Sequence, residues 1–495
     1  MQLTPKPQLN EQEVAKSLRM HLYDGMTSEA LVCLSTGAVL VAIALSMGAS
    51  NFEIGLLAAF PTLTNIAQLF TVIVLRKFPF RKIFTLLALL LSRIPLLIIG
   101  TYMWWGDDRT VKLLLLAMFV HFLFGSMGGA GWNSWVKDLV PENNLGSYFS
   151  KRSRYMQMVN IGLSLVVALL IDYVQNFYPD YLNILYGSYL FAAGIIGIAG
   201  VLILAQADDT KVVMSQENII RLLREPIQNS NFRKLLWFNG FWAFSINLAV
   251  PFFTVFMLQN LGLSMLFVIM LSVVTQFFSM LTIRYWGNLS DRYSNKSIIF
   301  LTAPLYVACL LGWIFVGMYS LSFINMALLV LLHMVTGIST SGINLALTNI
   351  GLKLAPKQDA LIYISVKNII TALFSALAPI IGGILADLFI NRDLRITFEW
   401  MSPDFYKEIK LIYLHDWNFL FLIASVFSLL SLRLLVHVQE NGEVSHYLVR
   451  KVLKTRFRQQ VKDNIIVGNI SQFHMQVKAI VKRKEKNYDP PSSVP

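Results

Sequence analysis

Twelve apolar runs, each near the length that crosses a bilayer, constrain this chain more than any other feature. They fall at roughly 26–48, 52–75, 83–105, 111–132, 155–176 and 184–206, then at 235–258, 263–285, 298–318, 322–346, 365–390 and 414–437. A helix needs about 20 apolar residues to cross a hydrocarbon core of about 30 Å. Composition agrees: 56% of residues are hydrophobic and only 14% charged, against about 25% charged in soluble domains. The sequence therefore predicts an all-α polytopic membrane protein with twelve crossings. Cys33 and Cys309 both sit inside apolar runs, so neither a disulfide framework nor a redox role is implied.

Basic residues give the orientation. Arg76, Lys77, Arg81 and Lys82 follow the second run, Lys137, Lys151, Arg152 and Arg154 the fourth, and Lys353 and Lys357 the tenth. Lys211, Arg221, Arg224, Arg233 and Lys234 occupy the middle connection, whereas the loops at 49–51, 177–183, 259–262 and 319–321 contain no Lys or Arg. The positive-inside rule places both termini and the middle loop in the cytoplasm of a plasma (inner) membrane protein. The net charge of +13 is thus a membrane signature, and no nucleic-acid partner is expected. Residues 1–25 lack the apolar core of a cleaved signal peptide. The stretch from Glu13 to Leu22 suits either a short amphipathic helix on the cytoplasmic leaflet or a lead-in to the first span. The loop at 391–413 is mixed in sign and suits an external segment with structure of its own.

The chain repeats itself. Gly48 and Ser50 recur 214 positions on as Gly262 and Ser264, as does Lys82 as Lys296. Pro141, Tyr148 and Asp172 recur 215 positions on as Pro356, Tyr363 and Asp387. The expected organisation is a segment at 1–25, a six-helix half at 26–207, a cytoplasmic linker at 208–234, a second half at 235–437 and a basic tail at 438–495.

Between the eighth and ninth runs stands WGNLSDRYSNK, residues 286–296. With Gly287, Asp291, Arg292, Asn295 and Lys296 it resembles the loop signature of the major facilitator superfamily, roughly G-x-x-x-D-R-x-G-[RN]-[RK]. It departs from that pattern at Ser294, where the family usually has Gly. The first half has Ile73 and Lys77 at the positions of Gly287 and Asp291, so the signature occurs once. The run 247–253 and the LGLS at 261–264 also look like a bacterial branch of the family without an assigned substrate. The resemblance covers nearly all of residues 20–437 and implies two pseudo-twofold six-helix halves that move a small solute by alternating access. It also implies a gate in which Asp291 meets the start of the fifth helix near Arg152 or Arg154, where a helix N-terminus favours a carboxylate by about 0.3–1 kcal/mol. The rival reading is that Asp291 and Arg292 only mark topology.

Polar residues deep in apolar runs are costly and usually face a cavity or a partner. Arg93 lies ten residues past Ile83, about 15 Å by helical rise, and needs either an anionic substrate or a neighbouring helix as partner. His121 and His333 lie mid-run, each four residues before a Gly, and are cavity candidates that also suit proton coupling. A neutral His bonded to a backbone carbonyl is the alternative. Asn239, Asn247 and Asn344 are further cavity candidates, or interhelical glue. Glu29 sits just inside the first run and is the remaining candidate for proton coupling. Asp172 and Asp387 lie at helix C-termini, where negative charge is disfavoured, so contact with water is expected of them.

Residues 446–484 alternate apolar and basic, which suits an amphipathic helix on anionic lipid or a solvated one. No G-x-x-x-x-G-K-[ST], zinc spacing or G-x-S-x-G is present. No cofactor is expected, and a monomer is what the resemblance implies. The sequence reads as a secondary transporter, not an enzyme, for a small metabolite or organic anion. Multidrug efflux and a non-transporting membrane sensor are the alternatives.

Overall fold

The computed structural model describes residues 5–78, 80–105, 110–140, 145–210, 219–317, 322–356, 360–402 and 405–440. The first six expected spans become α1 (Glu11–Ser35) with α2 (Gly37–Ser46), α3 (Asn51–Leu63) with α4 (Ala67–Lys77), α5 (Arg81–Trp105), α6 (Val111–Leu139), α7 (Leu145–Phe177) and α8 (Leu182–Leu204). A short α9 (Ile219–Gln228) precedes α10 (Ser230–Val255), α11 (Met265–Arg292), α12 (Asn295–Gly312), α13 (Ser322–Leu354), α14 (Ala360–Phe389) and α15 (Trp417–Val436). Among the described residues eleven helices are long and apolar enough to cross a membrane. Residues 51–77 fill the place of the second expected span, as two helices joined by a 3-10 turn at Thr64–Ile66.

Local chemistry sets the helix ends. Asn10 and Glu13 form a capping box at the start of α1, so the stretch 13–22 is neither a separate surface helix nor frayed. It runs unbroken into the membrane, which moves the start of the first helix fifteen residues ahead of position 26. The first span instead breaks at Thr36, whose N–H still bonds Val32 while Gly37 takes φ +59°. A residue with a Cβ resists that left-handed backbone. Ser294 caps α12 by accepting the N–H of Ser297. Its φ of 178° is ordinary extended backbone, so a glycine is not required there and a cap replaces it.

Two sets of helices pack first among themselves. In one, α5 lies against α6 and α8, and α1 against α7 and α8; in the other, α10 lies against α14 and α15, and α13 against α11 and α12. The sets meet where α3 packs along α14 and α7 along α11.

Each set is stapled by an acidic residue just past its last helix, Asp209 after α8 and Glu440 after α15. The buried Arg81 guanidinium bonds Asp138 at the end of α6 and Asp209 beyond α8, and Lys82 donates to the Ala207 carbonyl. In the second set the buried Glu440 accepts the N–H groups of Asn295 and Lys296 at 3.2 and 2.8 Å and the ammonium of Lys353 at 2.9 Å. Lys296 also donates to the Val436 carbonyl. Asn295 and Lys296 are therefore buried. A carboxylate at a helix N-terminus complements the unsatisfied N–H groups there.

The one departure from an all-α structure among the described residues is an antiparallel hairpin between α14 and α15. It consists of β1 (Asp393–Ser402) and β2 (Phe405–His415), and gives the loop at 391–413 the structure of its own that its composition suggested. The tail from 441 onward, with its basic pattern, lies outside the described residues.

Candidate functional site

The two helix sets are joined, at the opposite ends of the helices from the Asp209 and Glu440 staples, by a pair of reciprocal caps. Asp172, in the last turns of α7, accepts the N–H of Met265 at 3.0 Å and of Leu266 at 3.4 Å at the start of α11. Asp387, in the last turn of α14, accepts the N–H of Asn51 at 3.3 Å and of Phe52 at 3.0 Å at the start of α3. Each carboxylate thus leaves the unfavourable end of its own helix and satisfies the donors of a helix in the other set. Both residues remain partly exposed, as expected of them, and the helix donors add to that contact with water. The receiving ends are the repeated segments: Ser50 and Ser264 are their N-caps, and Gly48 and Gly262 enter them at φ +78° and +59°.

Backbone contact reinforces one cap. A Cβ at Gly55 of α3 would come within 2.2 Å of the Pro379 carbonyl oxygen on α14. No side chain larger than hydrogen fits that crossing without moving a helix.

A buried polar cluster fills the interior of the first set on the termini side of its core. Asp24 on α1, 5% exposed, lies in the field of Arg93 on α5 and Arg152 on α7. The Arg152 guanidinium rests over the Trp132 ring of α6 at 4.4 Å. His21 is fully buried, edge-on to Trp132 and Trp135, and neither ring nitrogen has a protein partner. Arg93 donates to Ser92 Oγ at 3.0 Å, and the Ser92 carbonyl contacts His121 Nδ1 at 2.7 Å. Gly197 on α8 gives the Arg93 stem its room, since a Cβ there would approach Cδ to 2.7 Å. Asn160 of α7 donates to Glu29 of α1 at 2.8 Å.

Of the residues expected from sequence, Arg93 and His121 therefore meet, with Arg152 in the same cluster and Glu29 beside it. His333 lies in the other set, bonded to the Leu329 carbonyl and edge-on to Trp313. Asn239 and Asn247 turn back onto their own helix, donating to Leu235 and Ala243, and Asn247 also reaches Ser375 at 3.4 Å. Asn344 and Arg154 are exposed. Arg292 is exposed beside the Tyr293 ring, and Gly287 faces Leu345 at ordinary contact distance. The Asp291 side chain lies outside the described residues.

Two residues escaped the sequence reading. Asp24 was set aside with the cytoplasmic segment, although the capping box at Asn10 signals a helix that begins early enough to carry it inward. Lys367 on α14 is 8% exposed, and its ammonium donates to the Leu347 carbonyl at 3.0 Å. Among the described residues no carboxylate lies within ion-pair distance of it. It stands 215 positions after Arg152, the offset that already relates Tyr148 to Tyr363, so the repeat was the signal that marked it.

The family model described as Major Facilitator Superfamily matches residues 26–351 and 239–466. Comparison with curated proteins gave no match. Among solved structures, a mutant of the nucleoside transporter NupG superimposes with a TM-score of 0.63 at 12% identity, covering 86% of this chain and all of that one. The inward-open xylose transporter XylE from E. coli gives 0.54 at 12% identity over 89% of this chain and 98% of its own. A bacterial homologue of the human lysosomal transporter Spinster, inward-facing, gives 0.55 at 14% identity over 77% and 84%. At such identities the likeness is one of fold.

Proposed function

The chain belongs to the major facilitator superfamily, and from that premise we infer a multi-pass secondary transporter, not an enzyme, that moves a solute by alternating access. The moving bodies are the halves at 26–207 and 235–437, linked by 208–234, with both termini in the cytoplasm.

The observation that carries the reading is the reciprocal pair of caps. Asp172 and Asp387 close the external face by holding helix starts of the opposite half, and their release opens it. In the opposite state the signature loop serves the cytoplasmic face, with Asp291 meeting Arg152 or Arg154 and with Gly287, Arg292 and Lys296 shaping the loop. Arg152 then exchanges Asp24 for Asp291 as the halves rock.

The substrate is a small metabolite, and an organic anion fits best. Lys367 and Arg152 are repeat-related cations on α14 and α7, and among the described residues Lys367 has only a carbonyl as partner. Burying an unpaired ammonium is expensive, and a bound anion would offset that cost. Arg93 has Asp24 in its field and serves as a support, not the primary anion ligand. Asp24 joins Glu29, His121 and His333 as a candidate for any coupled proton.

The test is a thermal-shift screen of purified protein against anions, sugars, amino acids and lipophilic cations, followed by flux into proteoliposomes. It is run on the wild type and on Lys367→Gln. The expected result is an anion that stabilises and crosses with the wild type and loses both effects in the variant. A lipophilic cation that does so in both proteins would replace this reading with efflux. Binding without flux would make the protein a sensor.

A further inference from the structure

Strand β1 of the hairpin is amphipathic yet uncovered. Every residue of β1 is exposed, and its alternation puts Leu394, Ile396, Phe398 and Trp400 on one face, at 46–60% exposure. Arg395, Thr397 and Glu399 lie on the other. The backbone register pairs Ile396 with Ile412 and, past an irregularity between Ile396 and Thr397, Phe398 with Ile409 and Trp400 with Lys407. An isolated two-stranded hairpin is marginal in water, and a run of exposed large apolar side chains marks an interaction surface.

Its mounting is unusual as well. The only described non-glycine residues with positive φ are Asn391, at +57°, and Asp416, at +42°. They are the two corners through which the hairpin leaves α14 and enters α15. The Asn391 N–H donates to Asp416 Oδ1 at 2.7 Å, and the Asp416 N–H donates to the Arg392 carbonyl. Backbone held in a sparsely populated region by mutual hydrogen bonds points to a direction that matters. These corners take the strands off the helix axes where two spans reach the membrane surface.

We propose that this hairpin lies in the interface of the leaflet opposite the termini, with its Leu394, Ile396, Phe398 and Trp400 face among the lipid headgroups and upper acyl chains. Trp is a favoured residue at that depth, and amphipathic elements bind there through their apolar face. From Asp393 to His415 the sequence carries Arg395, Lys407 and Lys410 against Asp393, Glu399, Asp404 and Glu408, a net charge of −1. The contact therefore does not depend on anionic lipid.

Nitroxide labels on single cysteines test this in full-length protein with Cys33 and Cys309 replaced by Ala, reconstituted into phosphatidylcholine vesicles. The sites are Ile396→Cys, Phe398→Cys and Trp400→Cys on one face and Arg395→Cys, Thr397→Cys and Glu399→Cys on the other. The expected result is an alternation of period 2: labels on the first face respond more to lipid-dissolved oxygen, and those on the second to an aqueous nickel chelate. Equal access of the chelate to both faces overturns the proposal. Shielding of the apolar face from both reagents also overturns it. If that shielding grows with the protein-to-lipid ratio, a second copy is the occupant; otherwise it is another part of the chain. Should the labelled variants fail to assemble, brominated lipid will quench a component of the tryptophan emission that disappears in Trp400→Phe. No difference between those two proteins overturns the proposal equally.

Discussion

The carboxylate of Asp387 accepts the backbone N–H of Phe52 at 3.0 Å across 335 positions of sequence. It binds the eleventh span to the second. Its counterpart, Asp172 on Met265, binds the fifth to the eighth. Both bonds cross between halves, both lie at one face, and neither contributes to the fold of a single half. They make the closure of that face a matter of a few hydrogen bonds and one tight helix crossing.

Replacing Asp172 and Asp387 together by Asn should open that face. A carboxylate at a helix N-terminus stabilises by up to about 1 kcal/mol, and about 2 kcal/mol in partly buried sites. At about 1 kcal/mol for each cap, the double variant should shift the ratio of states by roughly 30-fold, at about 1.4 kcal/mol per tenfold. Rates of modification of cysteines placed between α3 and α14 would rise accordingly. Unchanged rates would mean the caps are incidental.

Gly55→Leu should act more strongly, because the side chain has no room beneath the Pro379 carbonyl. Transport should fall to background while the purified variant remains folded and its external cysteines become reactive. Normal flux in this variant would show that the face need not close as tightly as described.

Asp24→Asn and Arg93→Ala should each destabilise the first half. Removing one partner from a buried ionic cluster typically costs about 3–5 kcal/mol. The thermal midpoint in detergent should drop for both single variants. A double variant, Asp24→Leu with Arg93→Met, should recover a large part of the loss. Additive losses would place the two residues in separate environments.

The Glu440 staple predicts an acid-sensitive component of stability. Burial pushes this carboxyl up, but the bonds from Lys296, Lys353 and Asn295 outweigh it and hold the group below its ordinary value. A lowered folded value gives stability that is present above the unfolded value of about 4.3 and is lost as pH falls through the folded one. Thermal stability of the wild type should therefore fall more steeply below pH 5 than that of Glu440→Gln. Parallel curves would remove the staple from the stability of the second half.

Much of the fold was legible because membrane insertion is read residue by residue. Apolar length fixed eleven helices, and the place of a twelfth, without any knowledge of contacts. The internal repeat paired Asp172 with Asp387 and Gly48 with Gly262, and so marked every component of the external caps. It could not say that each Asp reaches the other half's helix, because a repeat relates equivalent positions and not touching ones. Asp24 was lost for a different reason. Its polar flanks look like a solvated lead-in, and only packing against α7 and α8 turns that segment inward.

The sequence by itself determined the membrane, the crossings, the duplicated plan and the signature loop, since these follow from local apolarity and spacing. Tertiary structure alone decided which charges act on which groups: Asp24 in the field of Arg93 and Arg152, Glu440 on Lys353 and the start of α12, and each of the two aspartates on a helix start of the other set. Coulomb and hydrogen-bond energies depend on distance in space, and between helices that distance is set by packing and not by position in the chain.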